Sequence, residues 1–346
     1  MKFLSVCSGI EAASSAWRPL GWEAVAFSEI EPFPCSVLAH HYPDTPNWGD
    51  MTKYKEWPDV SIDLLCGGTP CQSFSVAGLR KGLDDPRGNL MLTFGAIAAK
   101  YRPKWLVWEN VYGVLSSNGG RDFGSFLGLL GVLGYGFAYR VLDAQYFGVA
   151  QRRRRVFVVG CLGDWRSAAA VLFERHSLSG HPAPSREKGK VAPTIPSRST
   201  AGGGLGTDFD LDGGTICVAT EDLAPSMGSA NPTGVAYTTK LHNTGSNNAG
   251  KIFKERTTCL DANSPPPALL TATMVRRLTA VECERLQGFE DNHTAVPWRG
   301  KPADQCPDGN RYKSIGNSWA VPCARWIGER IEAVQAVNQD SERAAA

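Results

Sequence analysis

The chain has 346 residues, enough for a large core and two lobes. With 42% hydrophobic and 20% charged residues it has the balance of an ordinary soluble protein. A formal net charge of +2 excludes nucleic-acid binding by bulk charge, so any such binding must come from local clusters.

Ten cysteines occur with no Cys-x-x-Cys pair and no Cys/His cluster at zinc spacing. The expectation is free thiols in a reducing cytoplasm and no metal. The run Met1 to Val6 is too short for a secretory signal, and no later stretch is long enough to span a bilayer.

Phe3 to Val6 reads as a buried strand, followed by Cys7-Ser8-Gly9-Ile10-Glu11 and an amphipathic helix through Trp17. Strand, glycine turn and helix open a nucleotide- or cofactor-binding α/β unit; a plain structural turn explains a single glycine equally well. The next strand, Ala24 to Phe27, ends in Ser28-Glu29. An acid there, about 20 residues after the glycine turn, is placed to hold ribose hydroxyls, or else is a solvated surface group. Pro32 starts a helix running to His41, with His40 and His41 expected at the surface. Asp50 follows Gly49 and could accept a bond from an adenine amino group or simply cap the next segment.

Ile62 to Cys66 reads as a strand leading into Gly67-Gly68-Thr69-Pro70-Cys71-Gln72-Ser73-Phe74-Ser75. The glycines permit a sharp turn, and Pro70 stiffens the loop that carries Cys71. A cysteine so held at a strand's carboxyl end is a candidate nucleophile, against the alternative of a buried structural thiol. Gly82 to Asn89 is polar and turn-rich and is read as a lid, and Leu90 to Tyr101 as a helix. The strand Trp105 to Trp108 delivers Glu109-Asn110-Val111. Glu109 and Cys71 therefore end adjacent candidate strands and could face one pocket, where a desolvated Glu109 would be a proton donor.

A helix from Asp122 to Leu133 comes next, then strands Ala138 to Ala144 and Val156 to Cys161, joined through Gln151-Arg152-Arg153-Arg154-Arg155. Alternation lets Arg153 and Arg155 line the pocket while Arg152 and Arg154 face solvent or DNA. Residues 177 to 270 are rich in Gly, Ser, Thr, Pro and Asn, with short β-like runs at Gly189 to Ile195, Ile216 to Thr220 and Val235 to Thr239. They read as a loop-rich β module. A helix from Ala280 to Leu286 ends at Gly288, and Lys313 to Ser318 precedes a last helix with Ala324, Ile327, Ile331 and Val334 at core spacing. The chain end is expected to fray.

Five stretches stand in order: Pro70-Cys71-Gln72, Glu109-Asn110-Val111, Gln151-x-Arg153-x-Arg155, Arg277-Leu278-Thr279 with Glu284-x-Leu286-Gln287-Gly288-Phe289, and Gly316-Asn317-Ser318. Together they resemble the DNA (cytosine-5)-methyltransferases of bacteria and phages. The resemblance implies an α/β fold: a Rossmann-like, mostly parallel sheet with a smaller loop-rich β domain. It implies a catalytic and cofactor domain over 1–165 and 308–346, a target-recognition domain over 166–275 and a hinge beside the DNA cleft over 276–307. The implied cofactor is S-adenosylmethionine and the implied partner double-stranded DNA, bound by a monomer, in restriction–modification or phage anti-restriction.

By motif position, Cys71, Glu109, Arg153 and Arg155 would be catalytic, Arg155 or Arg153 meeting the base carbonyl or orienting Glu109. Cys7, Gly9 and Ile10 would line the methionine end of the cofactor, Glu29 its ribose, and Asp50 and Met51 its adenine, with Pro70, Leu90, Asn317 and Ser318 completing the pocket. Gln72, Ser75 and Arg87 would close over flipped DNA, and Arg152, Arg154 and Arg276 would hold phosphates. The family's first loop usually reads Phe-x-Gly-x-Gly; here its positions hold Cys7, Gly9 and Glu11. Glu11 must turn its side chain away from the cofactor. The rival readings are a tRNA cytosine-5 methyltransferase and a silent DNA-binding protein on the same scaffold. A nicotinamide oxidoreductase would explain the first strand, turn and helix but not the cysteine loop.

Overall fold

The computed structural model describes residues 1–70, 90–173, 237–239, 252–254, 268–270 and 275–345. β1 (Lys2–Val6), β2 (Glu23–Ser28), β3 (Leu64–Gly67), β4 (Trp105–Val111), β5 (Tyr135–Asp143) and β6 (Arg154–Leu162) form one sheet in the order β2-β1-β3-β4-β6-β5. The first four strands are parallel; β6 runs antiparallel to both β4 and β5. The chain leaves β1 on one side to make β2 and returns on the other to make β3. That reversal opens a crevice between the carboxyl ends of β1 and β3, where ligands bind in such sheets.

Strand alternation sorts the core into two layers. Phe3, Leu64, Cys66, Trp105 and Val107 face one cluster, while Leu4, Val6, Leu65, Leu106 and Trp108 face the other. The first layer is covered by α1 (Ala12–Trp17), α2 (Pro32–His41), α5 (Trp165–Leu172) and α8 (Val321–Ala345). The second is covered by α3 (Leu90–Tyr101) and α4 (Arg121–Val132). Although α1 was expected to be amphipathic, five of its six residues are buried, because α8 packs over its outer side. Trp17 Nε1 donates to the Ala324 carbonyl at 2.8 Å across that contact.

The returning segment is built into the same core through Leu278, Phe289 and Val296. α6 (Ala280–Gln287) starts with a capping box between Thr279 and Glu282 and ends at Gly288, whose φ is 82°. α7 (Asp308–Asn317) was not anticipated. Its sequence has two glycines and little apolar content; tertiary bonds hold it instead. The buried Glu284 carboxylate of α6 accepts from the Asn292 and Thr294 amides, each at 2.8 Å, and pairs with Arg311 of α7 at 3.1 Å. α8 continues to Ala345. β7 (Tyr237–Thr239), β8 (Ile252–Lys254), β9 (Ala268–Leu270) and β10 (Val275–Arg277) form a second, antiparallel sheet in the order β10-β9-β7-β8. β7 overlaps the third expected β-like run; the other two lie outside the described residues.

Candidate active site

A cleft of about 680 Å³ opens at the switch point. Its reaction end is made where β3 stops beside β4, Gly67 paired with Trp108. β4 runs through Glu109 to Val111 rather than ending at Trp108. Gly67 and Gly68 serve close approach rather than a left-handed turn: a Cβ on Gly67 would meet the Val6 carbonyl oxygen at 2.5 Å. On Gly68 it would meet Trp319 and Glu109. Asn110 Nδ2 donates to the Thr69 carbonyl at 2.8 Å and Trp108 Nε1 to Thr69 Oγ1 at 3.0 Å. These bonds tie the residue before Pro70 to the strand that carries Glu109. Cys71 itself, with Gln72, Ser75, Arg87 and the expected lid, lies outside the described residues.

Glu109 is 7% exposed. Burial pushes its carboxyl above the usual range, partly opposed by Arg155 and Arg153. Arg155 Nε lies 3.1 Å from Glu109 Oε1, an ion pair without hydrogen-bond alignment, and Arg155 Nη1 donates to the Arg154 carbonyl at 2.9 Å. Arg153 lines the cleft with Arg155, as alternation predicts, and also braces the turn behind it. Its Nη2 donates to the carbonyls of Gly316 at 3.1 Å and Ser318 at 2.6 Å. Gln151 donates to the Leu286 carbonyl at 2.9 Å, and Gln287 to that of Ile315 at 2.7 Å. Three of the sequence motifs are thus fastened to one another behind the cleft.

At the cofactor end, Glu29 Oε2 accepts from the Gly9 amide at 2.8 Å, and Oε1 from the amides of Ile30 and Glu31, each at 2.8 Å. Three donors leave about one acceptor position of the carboxylate for a ligand hydroxyl. Ile30 lines the cleft yet is 68% exposed, an apolar side chain suited to cover a flat ring. Asp50 does cap the following turn, its Oδ1 accepting from the Thr52 amide at 2.9 Å, and it lines the cleft with Met51. Cys7, Gly9, Pro70, Leu90 and Asn317 also line it. Ile10 does not: its side chain is in the core. Ser318 lines only a smaller cavity of about 40 Å³ beside it. Burial, Glu29 and Asp50 push the Cys7 thiol up to about 12, which keeps it from competing as a nucleophile. This donor set fits a ribose-bearing, adenine-bearing cofactor such as S-adenosylmethionine.

Glu11 has turned inward as expected. At a φ of 64° it caps α1, accepting from the Ser14 amide at 2.9 Å, Ser14 Oγ at 3.1 Å and Ser5 Oγ at 2.8 Å. Burial still pushes its carboxyl up to about 7. His41 is not a surface residue. It stacks on His293 at 4.3 Å and bonds the His293 carbonyl, while His293 Nε2 reaches the Ile10 carbonyl at 2.8 Å. No local pattern could reveal a partner so far along the chain. Arg154 is exposed, its guanidinium 4.5 Å from the Tyr112 ring; Arg152 is half-buried; Arg276 lies in β10.

The fold and cleft are those of a cofactor-dependent α/β methyltransferase. A family model described as C-5 cytosine-specific DNA methylase matches residues 1–333, and the chain belongs to that family. A protein of Escherichia phage P1 named DNA N-6-adenine-methyltransferase is 35% identical over 94% of this chain and 60% of its own length. The chain therefore spans well under the full length of that relative. Type II methyltransferase M1.ScrFI of Lactococcus lactis subsp. cremoris is 30% identical over 89% of this chain and 72% of its own. In fold, the chain is similar to the Dnmt2 methyltransferase of S. pombe, with a TM-score of 0.60 and 16% identity over 96% of this chain and 99% of that one. Among the described residues, no helix is long and apolar enough to cross a membrane.

Proposed function

We propose that the chain is a sequence-specific DNA (cytosine-5)-methyltransferase using S-adenosylmethionine. One observation carries this reading: Pro70, the neighbour of Cys71, and Glu109 line one cleft from the ends of adjacent strands. Carbon 5 of cytosine is a poor nucleophile. Addition of the Cys71 thiolate at carbon 6 makes it enamine-like, while Glu109 gives a proton to the ring nitrogen. A free thiol titrates near about 8.5, so a cationic neighbour such as Arg155 helps to ionise it. The bound cofactor supplies an electrophilic sulfonium methyl. After transfer a base, water in this reading, takes the carbon-5 proton, and the electrons of that bond restore the 5,6 double bond. Cys71 departs with the electrons of its carbon–sulfur bond, and the ring nitrogen returns its proton to Glu109. Arg155 orients Glu109, and Arg153 holds the turn at Gly316 to Ser318.

The cofactor would be held at Glu29 by its ribose, at Asp50 and Met51 by its adenine, and along Cys7, Gly9, Pro70, Leu90 and Asn317 by the rest. A stacked cytosine cannot meet Cys71, so the base is flipped out at a cost of a few kcal/mol. Gln72, Ser75 and Arg87 then close over the DNA. Arg152, Arg154 and Arg276 contact phosphates, and the 166–275 module, beside the 276–307 hinge, reads the sequence in the major groove. The enzyme works as a cytoplasmic monomer in restriction–modification or phage anti-restriction, a setting that the Type II relatives favour.

The name of the phage P1 relative favours a second reading, methylation of adenine N6. That exocyclic amine needs no thiol to activate it, so Cys71 discriminates the two. The test is bisulfite sequencing of plasmid DNA from cells expressing the wild type or Cys71→Ser. Protected cytosines in one short context, seen with wild type alone, are expected. Adenine methylation, which bisulfite does not read and which nucleoside mass spectrometry of the same DNA would show, would favour the second reading if it survives Cys71→Ser. Protection absent from DNA but found in tRNA would replace the DNA substrate with RNA.

A further inference from the structure

Trp319 follows directly on the Gly316-Asn317-Ser318 turn and is 8% exposed. The chain's folding brings it to the inner side of Glu109. A Cβ built on Gly68 would lie 2.9 Å from Trp319 Nε1 and 3.0 Å from Glu109 Oε2, so indole and carboxyl close on one point. Trp319 also packs edge-on against Phe157 at 5.8 Å. Phe157 is the residue opposite Glu109 in the β4–β6 ladder. The turn before Trp319 is fixed by Arg153 and Gln287, which both donate to the Ser318 carbonyl, at 2.6 and 3.3 Å. Trp319, Gly68 and Glu109 share the small cavity of about 40 Å³, room for a few waters at most.

We propose that Trp319 is a positioning residue for Glu109: its indole walls off the inner face of the carboxyl, limits the water that reaches it and presents it to the cleft. The inference rests on the reading of Glu109 as proton donor. It also gives Arg153 a task, since the guanidinium that bonds Ser318 sets the indole against Glu109. Among the described residues, the groups facing Glu109 are Arg155 on β6, Arg153 ahead of β6, Cys323 on α8 and Glu11 across the small cavity. Glu29, Asp50 and Lys313 line the larger cleft. All of them are common to the wild type and any Trp319 variant, so a change in Glu109 behaviour on substitution reports the wall.

The test is single-turnover methyl transfer as a function of pH, with cofactor and DNA saturating, for wild type, Trp319→Ala and Trp319→Phe. Opening the wall lets water solvate the carboxylate, so the alkaline limb in Trp319→Ala moves down by about one pH unit, a loss of about tenfold above the wild-type midpoint. Trp319→Phe keeps most of the wall and stays within about twofold of wild type. If Trp319→Ala does not fold, Trp319→Leu carries the same comparison. Equilibrium binding of S-adenosylhomocysteine is expected to change by less than about twofold, because Trp319 does not line the larger cleft. In a Glu109→Gln background the Trp319 substitution adds nothing further. An unmoved limb, a loss confined to cofactor affinity, or a full additional loss in Glu109→Gln would each overturn the proposal. Wild-type speed in Glu109→Gln alone is a different result, and it would remove Glu109 as the donor.

Discussion

The two ends of the cleft are held by different kinds of bond. At the cofactor end, Glu29 is fixed by the amides of Gly9, Ile30 and Glu31, and Asp50 by that of Thr52. Those partners lie within 20 residues, inside one or two βα turns. At the reaction end, Arg153 reaches Ser318 across 165 residues and Gln151 reaches Leu286 across 135. The cofactor end can form as the first strands pair. The reaction end is complete only when the returning segment, with α7 and α8, has docked. Damage at one end should therefore show as lost affinity, and at the other as lost chemistry or lost stability.

The largest effect is expected at Glu109. Glu109→Gln keeps the shape and removes the transferable proton, so methyl transfer should slow by about a hundredfold to ten-thousandfold. Equilibrium cofactor binding should stay near wild type, since the other end of the cleft is intact. Arg153→Leu comes next. It leaves two carbonyls without their charged donor in a site where Arg153 is 2% exposed. Loss of about 3 kcal/mol of unfolding free energy is expected in denaturant titrations. A variant of wild-type stability would show that the long-range fastening contributes little. A milder loss is expected from Glu29→Leu, which frees three backbone amides but leaves the reaction end untouched: cofactor Kd should rise about tenfold by calorimetry, with kcat at saturation retained.

The same division decided what the sequence could reveal. α3 was anticipated with its observed bounds, Leu90–Tyr101, because its apolar residues and flanking loops are local signals. Adjacency of the Gly67 and Glu109 strands followed from strand spacing and the rule that ligands sit beyond carboxyl ends. α7 was missed because Gly309 and Gly316 lower helix propensity there, and its support comes from Thr294 and Glu284, 17 and 27 residues before Arg311 and outside any helical window. The Arg153/Arg155 alternation was legible, yet only packing shows that one side chain serves Glu109 and the other the Ser318 turn. The His41–His293 stack and the Trp319 wall are contacts between distant segments, and no window of sequence contains both partners.

Glu11 breaks the comparison, and it offers the most specific prediction. It belongs to the cofactor end and its bonds are local, yet burial raises its carboxyl to about 7 from an ordinary value of 4.5. The folded protein therefore holds a proton on Glu11 that the unfolded chain has released between those two values. Stability from this group is full below about 4.5 and falls as pH rises, until the folded carboxyl ionises near about 7. Of the nearby groups, Glu29 adds charge that opposes ionisation, whereas Cys66, pushed up by burial and then by Glu11, stays a neutral thiol. Glu11→Gln keeps acceptors for Ser14 and lets the Ser5 hydroxyl turn to accept, but cannot titrate. Melting curves of wild type and variant should differ most in acid and draw together as pH approaches neutrality, apart from a constant offset. Parallel curves across that window would mean that the three hydrogen bonds hold Glu11 ionised despite its burial.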